Sequence, residues 1–236
     1  MTSRLNVLAA VVLLATACGD TRPSVEPSPN PSPPITPPPV GSVSVTGVVY
    51  ESIGAGRRPL GDVAIDISVE YQSWPATIRT DADGRYSQIV SRGSGPLKLI
   101  AEKPGYSQPC RVPIADTNGD QDVYLVSNDT LSITGVPSSM PIAQPTLTGL
   151  VFERTPQGIK PVAGAHVVLD FTGGMGWTPS ATTNTDAAGR YLLCNVVDIT
   201  GFGLYALVSK PGYGQLYVPV HRASTGSFDV ELRRLQ

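Results

Sequence analysis

The chain of 236 residues carries 23 Pro and 24 Gly with six per cent aromatics. That composition excludes long helices as the main architecture and favours short strands joined by turns. The formal net charge of -2 provides no polybasic or polyacidic field, which excludes nucleic acid and electrostatic capture by an anionic membrane surface.

At the N-terminus, Arg4 precedes an apolar run over residues 5–14, too short to span a bilayer as a helix and patterned like an export signal. LATAC at 14–18 sets small side chains directly before a lone cysteine. It resembles the lipobox of bacterial lipoproteins. The resemblance implies removal of residues 1–17 and acylation of Cys18. The membrane is then a partner through that lipid anchor, in the outer membrane or at the cell surface rather than in the inner membrane. The alternative is an ordinary secretory signal cut after Ala17. Residues 18–42 follow as a stalk. Nine of the seventeen residues at 23–39 are proline, so few backbone donors remain and an extended spacer rising about 3.1 Å per residue is expected.

The rest of the chain repeats itself. VTGVVYE at 45–51 matches LTGLVFE at 147–153, and RPLGDVAIDI at 58–67 matches KPVAGAHVVL at 160–169. TDADGRY at 80–86 returns as TDAAGRY at 185–191, KPGY at 103–106 as KPGY at 210–213, and DVYL at 122–125 as DVEL at 229–232. Segments matched in one order predict two homologous domains, 43–126 and 146–236, joined by a linker at 127–145. Within each, apolar residues alternate as strands require: Val63, Ile65, Ile67 and Val69 in one repeat, and Ala165, Val167, Leu169 and Phe171 in the other. Such short runs with turn residues between them predict an all-β chain of two tandem seven-stranded Greek-key β-sandwiches. In the linker, the spacing of Leu131, Ile133 and Val136 predicts an added strand, with a plain connector as the alternative.

The order G-x-V-[YF], P-[LV]-x-x-[AV], T-D-A-x-G-R-Y, K-P-G-Y and D-V-x-L resembles the carboxypeptidase regulatory-like domain, a transthyretin-like (prealbumin-like) sandwich with a carbohydrate-binding-like fold. The resemblance implies an accessory, spacer or binding module in an exported protein, without peptidase activity. A metallocarboxypeptidase needs zinc ligands, and the chain has only His166 and His221, with no helix-borne His-x-x-Glu pair. Neither His has a ligand-spaced neighbour, and both read as surface residues. No motif calls for a cofactor, and no nucleophile, base and orienter can be named.

Three candidate features remain. Trp74 and Trp177 lie in equivalent loops, with Tyr71 and Phe171 nearby. They read either as lids on their own cores or as contacts for a glycan or an envelope protein. Asp116, Asn118, Asp120 and Asp122 are spaced two apart, as calcium ligands are. The loop has Gln121 where such a loop needs Gly and Ser127 where it needs Glu, so a solvated turn is the favoured reading and calcium the alternative. Cys110 and Cys194 are the thiols left after Cys18. They sit at non-equivalent repeat positions and Cys194 aligns with the apolar Ile89, so buried small residues are expected rather than a disulfide.

Overall fold

Strand parity carries over into burial in the computed structural model, which describes residues 41–69, 76–91, 97–114, 119–144, 146–172, 179–196, 203–220 and 227–235. Val63, Ile65 and Ile67 are buried, as are Ala165, Val167 and Leu169, and the residues between them face outwards. The first half contains β1 (Ser42–Ile53), β2 (Gly56–Pro59), β3 (Ala64–Val69), β4 (Ala76–Arg79), β5 (Arg85–Ser91) and β6 (Leu97–Glu102). It continues through β7 (Tyr106–Ser107), β8 (Val112–Ile114), β9 (Gly119–Asp120) and β10 (Val123–Ser127). After α1 (Asn128–Thr134) come β11 (Thr146–Thr155), β12 (Gly158–Pro161), β13 (His166–Thr172) and β14 (Pro179–Asn184). The last are β15 (Arg190–Cys194), β16 (Gly203–Ser209), β17 (Leu216–Val220) and β18 (Val230–Glu231).

The two halves pair their strands in the same order. One sheet runs β4-β3-β6-β8 in the first half and β14-β13-β16-β17 in the second. The other is built on the long opening strand, which changes partners midway. The first part of β1 pairs with β5 and the last with β2, while β10 runs parallel beside Val49 to Glu51. β11 divides itself the same way among β15, β12 and β18. Each half closes on its own apolar cluster, around Val45, Ile65 and Leu99 in one and Leu147, Val167 and Ala206 in the other. Burial contributes about 1.5–3 kcal/mol for each large aliphatic side chain.

Both halves belong to one compact unit, Pro38–Gln236, and the linker is part of its packing. The expected added strand is instead α1. Ser127 caps it by accepting from the Thr130 amide, and Gly135 ends it at φ 75°. A helix places residues two apart on different faces, so Leu131 is fully buried while Ile133 is 70% exposed. Leu131 joins Val126, Met140 and Cys194 in a third small cluster between the halves.

The expectation of unpaired cysteines is also overturned. Cys110 and Cys194 form a disulfide, with Cα atoms 4.4 Å apart. Around it the Cys194 amide donates to the Pro109 carbonyl, the Arg111 amide donates to the Cys194 carbonyl, and the Thr182 amide donates to the Gln108 carbonyl. The thiols meet because a segment of the first half lies along the β15 edge of the second. That proximity belongs to packing between repeats, so non-equivalence within the repeat is no obstacle to it.

Candidate functional site

Three of the repeated motifs, T-G-[VL], T-D-A-x-G-R-Y and D-V-x-L, converge on one crevice, present in both halves. In TDAxGRY the Thr hydroxyl holds two backbone groups: Thr80 donates to the Leu60 carbonyl and accepts from the Val63 amide, and Thr185 does the same between Val162 and Ala165. The following carboxylate closes the turn. Asp81 accepts from the amides of Asp83 and Arg85, and Asp186 from those of Ala188 and Arg190. Gly84 and Gly189 each take φ 74°, with the Val49 or Val151 carbonyl so close that a Cβ would lie 2.7 Å from it.

The tyrosine that ends each motif forms the floor of the crevice. Tyr86 donates its hydroxyl to the Gln121 carbonyl and Tyr191 donates to the Phe228 carbonyl. The segment bearing that carbonyl crosses directly over the Gly of the T-G-[VL] motif. A Cβ on Gly47 would sit 2.1 Å from the Gln121 oxygen, and one on Gly149 would sit 2.0 Å from the Phe228 oxygen. The Asp of D-V-x-L then accepts from the opening strand, Asp122 from the Val48 amide and Asp229 from the Leu150 amide. Burial raises both phenols well above their ordinary value of 10, with Asp122 and Asp120 adding to the shift at Tyr86 and Asp229 at Tyr191. Both tyrosines therefore stay neutral donors. The KPGY lysines complete the pattern: Lys103 donates to the Gly61 carbonyl and Lys210 to the Ala163 carbonyl.

The crevice differs between copies in its surroundings. In the first half it has a volume of about 360 Å³ and is lined by Thr46, Asp81, Arg85, Tyr86, Asp120 and Asp122. In the second the equivalent residues are joined by Thr134, Val136 and Ile142 from the linker, and the volume is about 600 Å³. Thr183 lines this larger copy with a buried hydroxyl that has no hydrogen-bond partner among the described residues.

Of the calcium candidates, Asp120 accepts from the Thr46 hydroxyl at 2.6 Å and Asp122 holds the Val48 amide, while Asp116 and Asn118 lie outside the described residues. Among the described residues no group of three or more His, Cys, Asp or Glu is placed to hold a metal ion. Cys18, Trp74, Tyr71, Trp177 and His221 also lie outside the described residues, and Phe171 is described only as a residue of β13 opposite Leu204. His166 is partly exposed, as parity predicts, and its Nδ1 meets the Asn184 side-chain oxygen at 2.9 Å.

One cluster goes beyond the motif reading. The Glu closing V-T-G-V-V-Y-E and L-T-G-L-V-F-E is paired in each half, Glu51 with Arg58 at 2.6 Å and Glu153 with Arg234 at 2.8 Å. Burial works against the ionised form of Glu153, but hydrogen bonds from Tyr213 and Arg234 outweigh it and hold its carboxyl below the usual range. The signal for this cluster was present in the sequence, as a carboxylate at the same place in both repeats on an otherwise apolar strand.

No family model and no curated protein matches the chain. Among solved structures it is similar to a double mutant of the shaft pilin SpaA from Lactobacillus rhamnosus GG, with 14% identity, a TM-score of 0.29, and coverage of 83% of this chain and 98% of that one. It is also similar to GBS52, a minor pilin of Streptococcus agalactiae, with 12% identity, a TM-score of 0.29, and coverage of 82% and 97%. The full-length major pilin RrgB of Streptococcus pneumoniae matches at 10% identity and a TM-score of 0.26, over 84% of this chain and 49% of that one. Likeness this loose carries nothing of function across.

Proposed function

We propose that the chain is a non-catalytic display module of the bacterial cell envelope: two transthyretin-like sandwiches of the carboxypeptidase regulatory-like kind, at 43–126 and 146–236, carried on a proline-rich stalk from an acylated Cys18. The observation behind this reading is the fate of the repeated polar residues. In both copies the Thr, Asp, Tyr and Lys side chains of the motifs end on the chain's own backbone groups, where a catalytic set would be turned towards a substrate. The repeated motifs thus act as a scaffold, and the outer surfaces are left for contact. A disulfide between the halves suits an oxidising compartment outside the cytoplasm.

One experiment in the native cell tests the reading. The wild type and a Cys18→Ala variant are labelled with a palmitate analogue, and the same samples are alkylated under denaturing conditions before and after reduction. Label on the wild type alone, together with Cys110 and Cys194 protected until reduction, is the expected result. An unlabelled wild type removes the anchor, and free thiols in the native protein remove the exported, stapled unit.

A further inference from the structure

The second crevice departs from the first in its floor, its wall and its roof. Thr183 stands where the first repeat has Ile78, two residues before the Thr that opens the TDAxGRY turn. It alternates with the half-buried Thr182 and Asn184 and shares the inner face of β14 with Ala181 and Thr185. Ile78 packs against the core of the first half. The Thr183 hydroxyl is instead fully buried at the lining of the crevice, with no hydrogen-bond partner among the described residues. An unpaired hydroxyl is costly at a buried position, so packing gains nothing from it, while an incoming polar atom would. In the wall, Ser227 lies opposite Thr148 as Asp120 lies opposite Thr46, which takes one carboxylate out of the lining.

The roof adds negative polarity. α1 ends at the crevice with Thr134 and Gly135. The last carbonyls of a helix lack intrahelical partners and carry its negative pole, and no basic side chain stands in the last turn of α1. A Cβ on Gly135 would lie 3.6 Å from Asp186 Oδ2, which sets that oxygen beside the helix end. The bonds that Asp186 and Asp229 make with described residues all use Oδ1. In this lining the two carboxylates stand against Arg190, a balance of one negative charge. In the first crevice Asp81, Asp120 and Asp122 stand against Arg85, a balance of two.

We propose that the second crevice binds a small aliphatic ligand through a protonated primary amine. An ammonium group carries three N–H donors and no acceptor. That suits a lining whose open groups are the Thr183 hydroxyl, the second oxygens of two carboxylates and the end of α1. One positive charge brings this lining to neutrality, whereas an anion would meet both carboxylates. The aliphatic body has Val136, Ile142 and Leu192 to lie against. The first crevice has Ile78 in place of the floor hydroxyl and no linker residue in its lining, so it lacks both the floor and the roof of the site. The site rests neither on the lipid anchor nor on the stalk, and its failure would leave the display-module reading untouched.

The test titrates the purified full chain at neutral pH with pentylammonium, pentanol and pentanoate, reading affinity by calorimetry and position by amide chemical shifts. Pentylammonium is expected to bind more tightly than either of the others, with shifts at Thr183, Asp186 and Leu192. Asp186→Asn and Asp229→Asn are each expected to weaken it by up to about fivefold, and Asp83→Asn, in the first half, to leave it unchanged. Thr183→Val is expected to weaken binding by about fivefold and, without ligand, to raise the urea midpoint, because it removes an unpaired hydroxyl from a buried position. Thr183→Ser is expected to restore binding. Pentanol or pentanoate binding as tightly as pentylammonium, shifts confined to the first crevice, or no binding at all would each overturn the proposal. So would a Thr183→Val variant that binds like the wild type or melts at lower urea, since the hydroxyl would then be idle or already paired.

Discussion

The two halves share a lock and differ in what lies around it. In both, Thr, Asp, Gly and Tyr of TDAxGRY tie the turn to the opening strand and to the segment before the last one. Around the second copy the linker adds α1, and residues 109–111 of the first half add a disulfide and backbone pairing along the β15 edge. Around the first copy the equivalent strand, β5, pairs only with β1 among the described residues, and Ile89 is exposed. The comparison separates two kinds of information. What the repeats share builds the sandwich. What they do not share joins one half to the other.

If the joint between the halves is specific, breaking it is expected to have the largest effect. The disulfide closes a separation of 84 residues, for which chain-entropy reasoning gives a stabilisation of about 4.6 kcal/mol. Cys110→Ala with Cys194→Ala is expected to lose stability of that order in urea denaturation. It is also expected to split one transition into two, because each half has a core of its own. A single unsplit transition of unchanged midpoint would show that the halves do not depend on the staple. The shared lock comes next. Gly47→Ala and Gly149→Ala each drive a methyl group into a backbone carbonyl, at an expected cost of about 3 kcal/mol in the half that carries the change. Similar losses in the two halves would sharpen the equivalence, and tolerance of either change would break it.

The lock was legible in the sequence because it is local and duplicated. Each of its residues sits in a short motif, and the second copy confirmed which positions matter. Strand parity was legible for the same reason, since burial of Ile65 and Val167 follows from alternation alone. The joint was not legible. Leu131 and Ile133 fit a period of two, and the Ser127 cap that sets a helix instead is a single side chain. Cys110 and Cys194 meet only because residues 109–111 lie against β15, and nothing inside one repeat encodes that contact. The aromatic loop candidates Trp74 and Trp177 fall outside the described residues.

Smaller effects refine the equivalence. Tyr86→Phe and Tyr191→Phe each remove one hydroxyl from a partly buried carbonyl, and each is expected to cost about 1 kcal/mol by thermal or urea melting. A loss confined to one of them would mean that the crossing segment is held differently in the two halves. The smallest effect concerns pH. In the second half the carboxyl of Glu153 is held below its ordinary value of 4.5, so the unfolded chain takes up its proton at higher pH than the folded one does. The stabilisation from its partners is fully present above that value and fades as pH falls through the lower folded value. Glu153→Gln is expected to be less stable than wild type at neutral pH, with the gap narrowing in acid below about pH 4.5. A gap that stays constant down to pH 3 would show that the carboxylate charge contributes nothing, and that Tyr213 and Arg234 hold the strand end through hydrogen bonds an amide can replace.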